Sequence, residues 1–296
     1  MRIALTGKTG QVVTSLIERG EAAGHEVVAL GRPELDLADP ASVLRALEAA
    51  APDVIVSAAA YTAVDKAESE RELAHAVNGA GAGAVAESAK ALGAPLVHVS
   101  TDYVFDGTLD RPYLETDPTG PTGVYGASKL AGEQAVLAAH GDNSAVLRVA
   151  WVYSPFGANF VKTMLRLAGD RDEVSVVADQ LGNPTSALDI ADGILRVATN
   201  MVSNSYQELR GVFHMTAPGE ASWADFAEAI FAASAAYGGP TAQVKRITTA
   251  DYPTPAKRPA NSRLDCGLIA KVHGVALPDW HQSLDHVIAR LHSAAA

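Results

Sequence analysis

Three side chains near the middle of the chain have the types and spacing of a carbonyl-reducing centre. Tyr125 and Lys129 stand four residues apart in Tyr125-Gly126-Ala127-Ser128-Lys129. On a helix that spacing puts both on one face, where an ammonium stabilises phenolate and lowers the tyrosine pKa toward working pH. Thr101, at the end of His98-Val99-Ser100-Thr101-Asp102-Tyr103, can hydrogen-bond the same carbonyl oxygen from a neighbouring strand end; the alternative is a plain turn cap.

A glycine turn, Thr6-Gly7-Lys8-Thr9-Gly10-Gln11-Val12-Val13, supplies the other half of a reductase. Its glycines let backbone N–H groups approach a pyrophosphate at a helix N-terminus, although the same turn also serves as a bare strand-to-helix connection. Val13 stands where a third glycine closes the usual fingerprint, and a branched side chain there is expected to push the helix from the strand. The second strand ends Leu30-Gly31-Arg32, without the acid that binds ribose hydroxyls in NAD-selective sites. Arg32 either pairs with a 2′-phosphate, giving NADPH use, or is an exposed loop arginine.

These groups need a frame, and the hydropathy pattern provides one. Apolar strands at Arg2 to Thr6, Glu26 to Leu30, Asp53 to Ser57, Pro95 to Ser100 and Ala145 to Val149 alternate with helical stretches at 11–24, 41–50 and 70–92. That rhythm predicts an α/β fold, a Rossmann-like doubly wound parallel sheet whose ligands sit at the carboxyl ends of the strands, beside Gly7, Ala58 to Tyr61, Thr101 and Trp151. Residues 1–150 form the expected nucleotide-binding domain and 151–296 mainly a smaller α/β substrate-binding lobe, with part of 186–215 returning to the first. Beyond residue 150 the pattern predicts a helix over 159–167, a strand over 174–177, a helix over 188–199, a strand over 211–214, a helix starting at Ser222 within 220–236, an extended loop over 252–259 and a final helix near 283–292.

Composition narrows the class. With 48% hydrophobic and 19% charged residues in 296, the chain has the makeup of a stable globular protein. A formal charge of −11 with scattered basic residues argues against a nucleic-acid partner. The absence of a long apolar run or a basic-then-apolar leader makes the cytoplasm, away from membranes, the expected location. Cys266, the single cysteine, reads as a small core residue, and nine histidines show no zinc-ligand pattern, so no metal is expected.

Taken together, Gly7-Lys-Thr-Gly-Gln11, the block Ala58 to Glu68, Ser100 to Gly107, Tyr125-Gly-Ala-Ser-Lys129 and Arg258-Pro-Ala-Asn261-Ser262 closely resemble the dTDP-4-dehydrorhamnose reductase family of extended short-chain dehydrogenase/reductases. The likeness runs in order along essentially the whole chain. It implies reduction of the C4 ketone of dTDP-4-dehydro-β-L-rhamnose to dTDP-β-L-rhamnose, the last step of dTDP-L-rhamnose synthesis. NADPH is the implied cofactor, with NADH also admitted, and a dTDP-sugar is the small-molecule partner. By motif, Thr101 orients the carbonyl, Tyr125 donates the proton, and Lys129 tunes Tyr125 while gripping the nicotinamide ribose. Gly7, Thr9, Gly10, Gln11 and Val12, Arg32, Asp36 and Leu37, Ala58, Ala59, Ala60, Tyr61 and Thr62, and Val99 line the implied cofactor site. Val64, Asp102, Tyr103, Trp151, Asn159, Arg258 and Asn261 line the implied sugar-nucleotide site, with Lys162 and the turn 180–185 as further candidates.

Several of these side chains have structural readings of equal simplicity. Asn78 either steadies the nicotinamide region or is a helix-surface amide, Trp151 either packs on the deoxysugar or belongs to the core, and Asp65 and Lys66 form a local ion pair. Ser15 replaces a glutamate that in some family members helps bind Mg²⁺ at a dimer interface, which implies no metal there and a monomer or weak homodimer. The alternatives in function are another nucleotide-sugar reductase or epimerase, or a regulatory subunit of a methionine adenosyltransferase. Tyr103 argues against dehydration, because dehydratases with a Thr-Asp-Glu triplet place an acid at that point to expel water.

Overall fold

The computed structural model describes residues 1–293, so the last three residues of the expected second lobe lie outside the described residues. Apolar runs bounded by turn residues become strands covered on both faces. β1 (Arg2–Thr6), β2 (Glu26–Leu30), β3 (Val54–Ser57) and β4 (Leu96–Thr101) are separated by α1 (Gln11–Ala22), α2 (Pro40–Ala50) and a helical run. That run comprises α3 (Val64–Ala67), α4 (Arg71–His75), a π-helical segment (Ala76–Ala80) and α5 (Gly81–Leu92). The sequence reading merged the last three into one helix. α6 (Val124–His140) and β5 (Ser144–Val149) complete the first half.

The later half contains β6 (Val152–Tyr153), α7 (Phe160–Ala168), β7 (Glu173–Val177), β8 (Leu181–Gly182), β9 (Thr185–Ser186), α8 (Ala187–Ser203), β10 (Gly211–His214), β11 (Ala221–Ser222), α9 (Trp223–Ala236), β12 (Gln243–Ile247), α10 (Gly267–His273) and α11 (Trp280–Ser293). β10 pairs with β5, from Gly211 opposite Ala145 to His214 opposite Arg148. The main sheet is therefore six-stranded and parallel, in the order β10-β5-β4-β3-β1-β2. The chain leaves β1 toward β2 and then crosses to β3, so the crevice between β1 and β3 is the switch point at which ligands of such sheets bind.

Alternation along the strands divides the core into two layers. Ile3, Leu5, Val54 and Val56 pack with Val13 and Leu16 of α1 and Ile190 and Ile194 of α8. Ala4 and Ile55 face the other way, toward Val43 and Leu47 of α2 and Val85 of α5. A third core joins Tyr153, Val161, Phe226 and Trp280 from β6, α7, α9 and α11, beside the parallel pair β7 and β12.

Side chains set several helix starts. The Asn159 Oδ1 accepts from the Lys162 N–H at 3.2 Å, making it the cap of α7 and placing the first helical residue at Phe160. Ser222 and Asp225 form a reciprocal capping box, so Ser222, the expected start, is the cap of α9 and Trp223 its first helical residue. Asp279 accepts from the His281 N–H at 2.9 Å, and α11 begins at Trp280, three residues before the expected start. β12 has no counterpart in the sequence reading because it is mostly exposed and polar, so no apolar run marks it.

Candidate active site

The three chemical side chains converge because α6 abuts the turn that follows β4 and the π-helical segment with almost no space between the backbones. A Cβ on Gly126 would lie 2.2 Å from the carbonyl oxygen of Tyr103, and one on Gly132 would lie 2.1 Å from that of Asn78. Glycine at these two turns of α6 brings Tyr125 and Lys129 beside Thr101. The helix start is fixed from outside: the Val124 N–H donates to the Glu68 Oε1 at 2.8 Å, an arrangement that also suits the positive end of the helix dipole.

Thr101 is a turn cap placed at the cleft end of β4. Its Oγ1 accepts from the Tyr103 N–H at 3.2 Å, capping the following turn, and lies 2.9 Å from the Asp102 Oδ1. The Tyr125 ring meets Tyr103 edge-on at 5.5 Å. Burial, then the nearby Asp102 charge, raise the Tyr125 pKa, with the Thr101 hydroxyl pulling the other way. Lys129 is not among the groups that shift it, contrary to the expectation of a lowered tyrosine. The ammonium donates instead to the Val99 carbonyl at 2.7 Å, and burial, only partly offset by Glu133, brings Lys129 itself down to about 8.

Asn78 lies on the π-helical segment and is only 2% exposed, which excludes the surface-amide reading. Its Oδ1 accepts from the Tyr61 N–H at 2.8 Å, and its Nδ2 donates to the Tyr61 carbonyl at 3.0 Å and the Ser128 hydroxyl at 2.9 Å. One amide thus joins the loop after β3 to the catalytic helix. Beneath Lys129, Glu133 accepts from Arg148 at 2.9 and 2.7 Å and from Ser100 at 2.5 Å, tying α6 to β5 and β4. Sequence reading missed Glu133 and Arg148, although Glu133 continues the four-residue spacing of Tyr125 and Lys129.

On the nucleotide side the turn is made by backbone. Gly7 and Gly10 adopt φ of 104° and 110°, a region that side chains rarely tolerate. Gly10 precedes α1 with no side-chain cap, leaving the first-turn N–H groups directed at the crevice. These groups fit a dinucleotide pyrophosphate. Val13 does not force the helix away as expected: its Cγ2 stands 3.0 Å from where a Gly7 Cβ would be, so the missing side chain at 7 accommodates the branched one at 13. Thr6, another residue the sequence reading passed over, accepts from the N–H groups of Ala58 and Ala59 at 3.1 Å each and holds the two loops together. Thr9, Gln11, Val12, Ala60 and Thr62 lie along the same two loops, and Gln11 reaches across to the Val152 carbonyl and the Ser154 hydroxyl.

Arg32 is exposed at the end of β2. Next to it Lys8 extends along Gly31 to pair with Glu34 at 2.5 Å, a second cation at this corner that the sequence reading did not single out. The Asp36 Oδ1 accepts from the Ala38 N–H, whereas Leu37 is buried in the core against Gly81.

On the sugar side the structure separates ligand-facing groups from ties. Arg258 lies against Tyr103 and pairs with Asp65 at 2.9 Å, replacing the expected Asp65–Lys66 pair. Val64 opens α3 beside this pair. Trp151 stacks on Trp223 with centroids 3.6 Å apart, so one ring face belongs to the core. The Asn159 amide donates to the carbonyls of Ser154 and Phe156, and the Asn261 amide to those of Leu109 and Arg111. The Asn261 oxygen accepts from Arg263. Both asparagines, expected as substrate donors, thus use their side chains on the protein's own loops. Gln180 likewise bonds Thr249, and Lys162 lies 3.5 Å from the Pro155 carbonyl.

Ser15 is fully buried in α1 and donates to the Gln11 carbonyl at 2.8 Å, within the helix rather than at a surface. Cys266 accepts from the Thr216 N–H at 3.2 Å, and burial raises its thiol pKa.

Comparison with known proteins agrees with this geometry. A family described as RmlD substrate binding domain matches residues 1–293. A dTDP-4-dehydrorhamnose reductase of Sinorhizobium fredii is 51% identical over 288 residues, covering 97% of each chain. The solved dTDP-4-dehydrorhamnose reductase of Clostridium acetobutylicum superposes with a TM-score of 0.91 at 36% identity, covering 99% of this chain and all of the other. That of Bacillus anthracis, solved in complex with NADP, superposes with a TM-score of 0.90 at 34% identity, covering 98% and 99%. The chain belongs to the RmlD substrate-binding-domain family, that of the dTDP-4-dehydrorhamnose reductases.

Proposed function

We propose that this protein reduces the C4 ketone of dTDP-4-dehydro-β-L-rhamnose to dTDP-β-L-rhamnose with NADPH. The observation that carries the reading is the convergence of Thr101, Tyr125 and Lys129 at the carboxyl ends of the strands, beside an uncapped α1 N-terminus. The bound cofactor supplies the hydride. The residues of the chain supply position and protons. Burial keeps the Tyr125 phenol protonated, so it still holds its proton when negative charge develops on the C4 oxygen. Thr101 holds that oxygen from the β4 side, and Lys129, one turn further along α6, keeps one N–H on the Val99 carbonyl and offers the other two to the nicotinamide ribose. Arg258, placed against Tyr103, is the most direct candidate for an anionic group of the sugar nucleotide.

Lys8 and Arg32 together form the corner at which a 2′-phosphate is read, which favours NADPH and admits NADH. We assign the protein to the cytoplasm and read it as a monomer or weak homodimer, the second reading supported by a buried Ser15 in place of an interface carboxylate. Among the described residues no helix is long and apolar enough to cross a membrane. The test is oxidation of NADPH and NADH in the presence of dTDP-4-dehydro-L-rhamnose. Tyr125→Phe is expected to lose about 10²–10⁴-fold in kcat, the range for general acid catalysis, while still binding NADPH. Failure of the wild-type protein to oxidise either cofactor would overturn the assignment.

A further inference from the structure

We infer that Asp102 is a positioning residue that must carry its own proton for Thr101 to donate to the ketone oxygen. The inference rests on the proposed ketone reduction and follows from counting hydrogen bonds. A threonine hydroxyl has one proton and two lone pairs. One lone pair of Thr101 receives the Tyr103 N–H, and the Asp102 Oδ1 sits 2.9 Å from the same oxygen. If Asp102 is ionised, it can only accept, so the Thr101 proton points at the carboxylate and none is left for the substrate. If Asp102 is protonated and donates, both lone pairs of Thr101 are occupied and its proton is free to point into the cleft, where the Tyr125 oxygen also lies within its reach.

The surroundings shift Asp102 toward the protonated form. Asp102 is 3% exposed, and its second oxygen, Oδ2, makes no hydrogen bond of regular geometry with any described residue, although the Ser262 hydroxyl faces the carboxyl. A buried carboxylate with an unpartnered oxygen is the form that burial penalises. Burial raises Asp102 to about 6, with Ser262, Thr101 and two backbone N–H groups opposing it, and no cation among them. The titratable groups that face it are Tyr103 from its own turn and Tyr125 from α6, both raised in part by its charge. Arg258 from the C-terminal loop and its partner Asp65 from α3 act on Tyr103, and Lys129 is turned to Val99.

The experiment is the pH dependence of kcat/KM for ketone reduction by the wild-type protein, Asp102→Asn and Thr101→Ala, together with the infrared difference between wild type and Asp102→Asn. Asparagine in this place is a permanent neutral donor to Thr101. Wild type is expected to lose about tenfold per pH unit above about pH 6, as an essential acid of the free enzyme does. The ratio of Asp102→Asn to wild type is then expected to rise at least about tenfold between pH 6 and 7.5, until Lys129, at about 8, begins to titrate. Thr101→Ala, slower throughout, lacks the pH 6 limb because the proton state of Asp102 acts only through the hydroxyl it removes. The wild-type spectrum shows a protonated carboxyl band at pH 5 that fades near pH 6 and is missing in Asp102→Asn. Persistence of the limb in either variant, or absence of the band at pH 5, overturns the inference. Should the protein reduce no keto sugar at all, the proposed activity fails, and the infrared band still decides the proton state of Asp102.

Discussion

The two sides of the cleft use buried polar groups in opposite ways. On the sheet side, Asn78, Glu133 and Arg148 bond between the elements that carry the reacting groups, and each bond holds one of them in place: the Tyr61 loop, the Lys129 helix and the β4 end. On the lobe side, Asn159 bonds only to neighbours within five residues, and Asn261, although its partners at 109–111 are distant in sequence, ties one loop to another and touches neither the catalytic helix nor the strand ends. An identical residue type thus sets catalytic geometry in one half and closes a loop in the other. What distinguishes the cases is which elements its partners join.

The strongest way to break this contrast is to remove one member of the buried ion pair. Glu133 and Arg148 are 2% and 4% exposed, and the guanidinium also lies over the Phe105 ring at 5.0 Å. Arg148→Met strands the Glu133 carboxylate and is expected to destabilise the protein by about 3–5 kcal/mol, whereas adding Glu133→Leu restores part of that loss. Urea unfolding of the single and double variants measures it. A single-variant loss under about 1 kcal/mol would mean that water reaches the pair and that it does not fix α6 on the sheet.

Acidification probes the same region through His214. Burial, and then the charge of Arg148, bring this imidazole down to about 3 in the folded protein. An unfolded chain binds the proton near 6.5. The unfolded state therefore takes up more protons as pH falls below 6.5, and stability falls with it until the folded pKa is reached. Between pH 6.5 and 5 the loss from this group is about 2 kcal/mol at 1.36 kcal/mol per unit. His214→Asn is expected to flatten that part of the stability profile, and an unchanged slope would assign acid sensitivity to other groups.

The same contrast explains what could be read from the sequence. Strands 2–6, 54–57 and 96–101 were legible because apolar runs and turn residues mark them locally. The Tyr125–Lys129 pair was legible because helical spacing is local too. Glu133 and Thr6 went unread, since their partners lie on other elements and no local pattern announces a buried charge or a threonine that clamps a loop 52 residues away. The Lys129 effect on Tyr125 was misjudged for a related reason: proximity on a helix face says nothing about the Val99 carbonyl that claims the ammonium. Beyond residue 150, motif resemblance pointed to a region, while the Asn159 and Asn261 amides within it bond the protein's own loops.

The smallest expected effect is also the sharpest on that last point. If Asn159 is a cap and loop tie, Asn159→Ala removes the acceptor for the Lys162 N–H and the donor to the Ser154 and Phe156 carbonyls. Losing a side-chain cap costs about 1 kcal/mol of stability, while KM for the keto sugar stays within about twofold, a change of less than about 0.5 kcal/mol in binding. Asn159→Asp separates cap from tie, because aspartate keeps the capping acceptor and loses the donor; it is expected to recover part of the stability with KM still unchanged. A tenfold rise in KM at unaltered stability would return Asn159 to the substrate, and with it the premise that polar residues of the lobe face the ligand rather than their own loops.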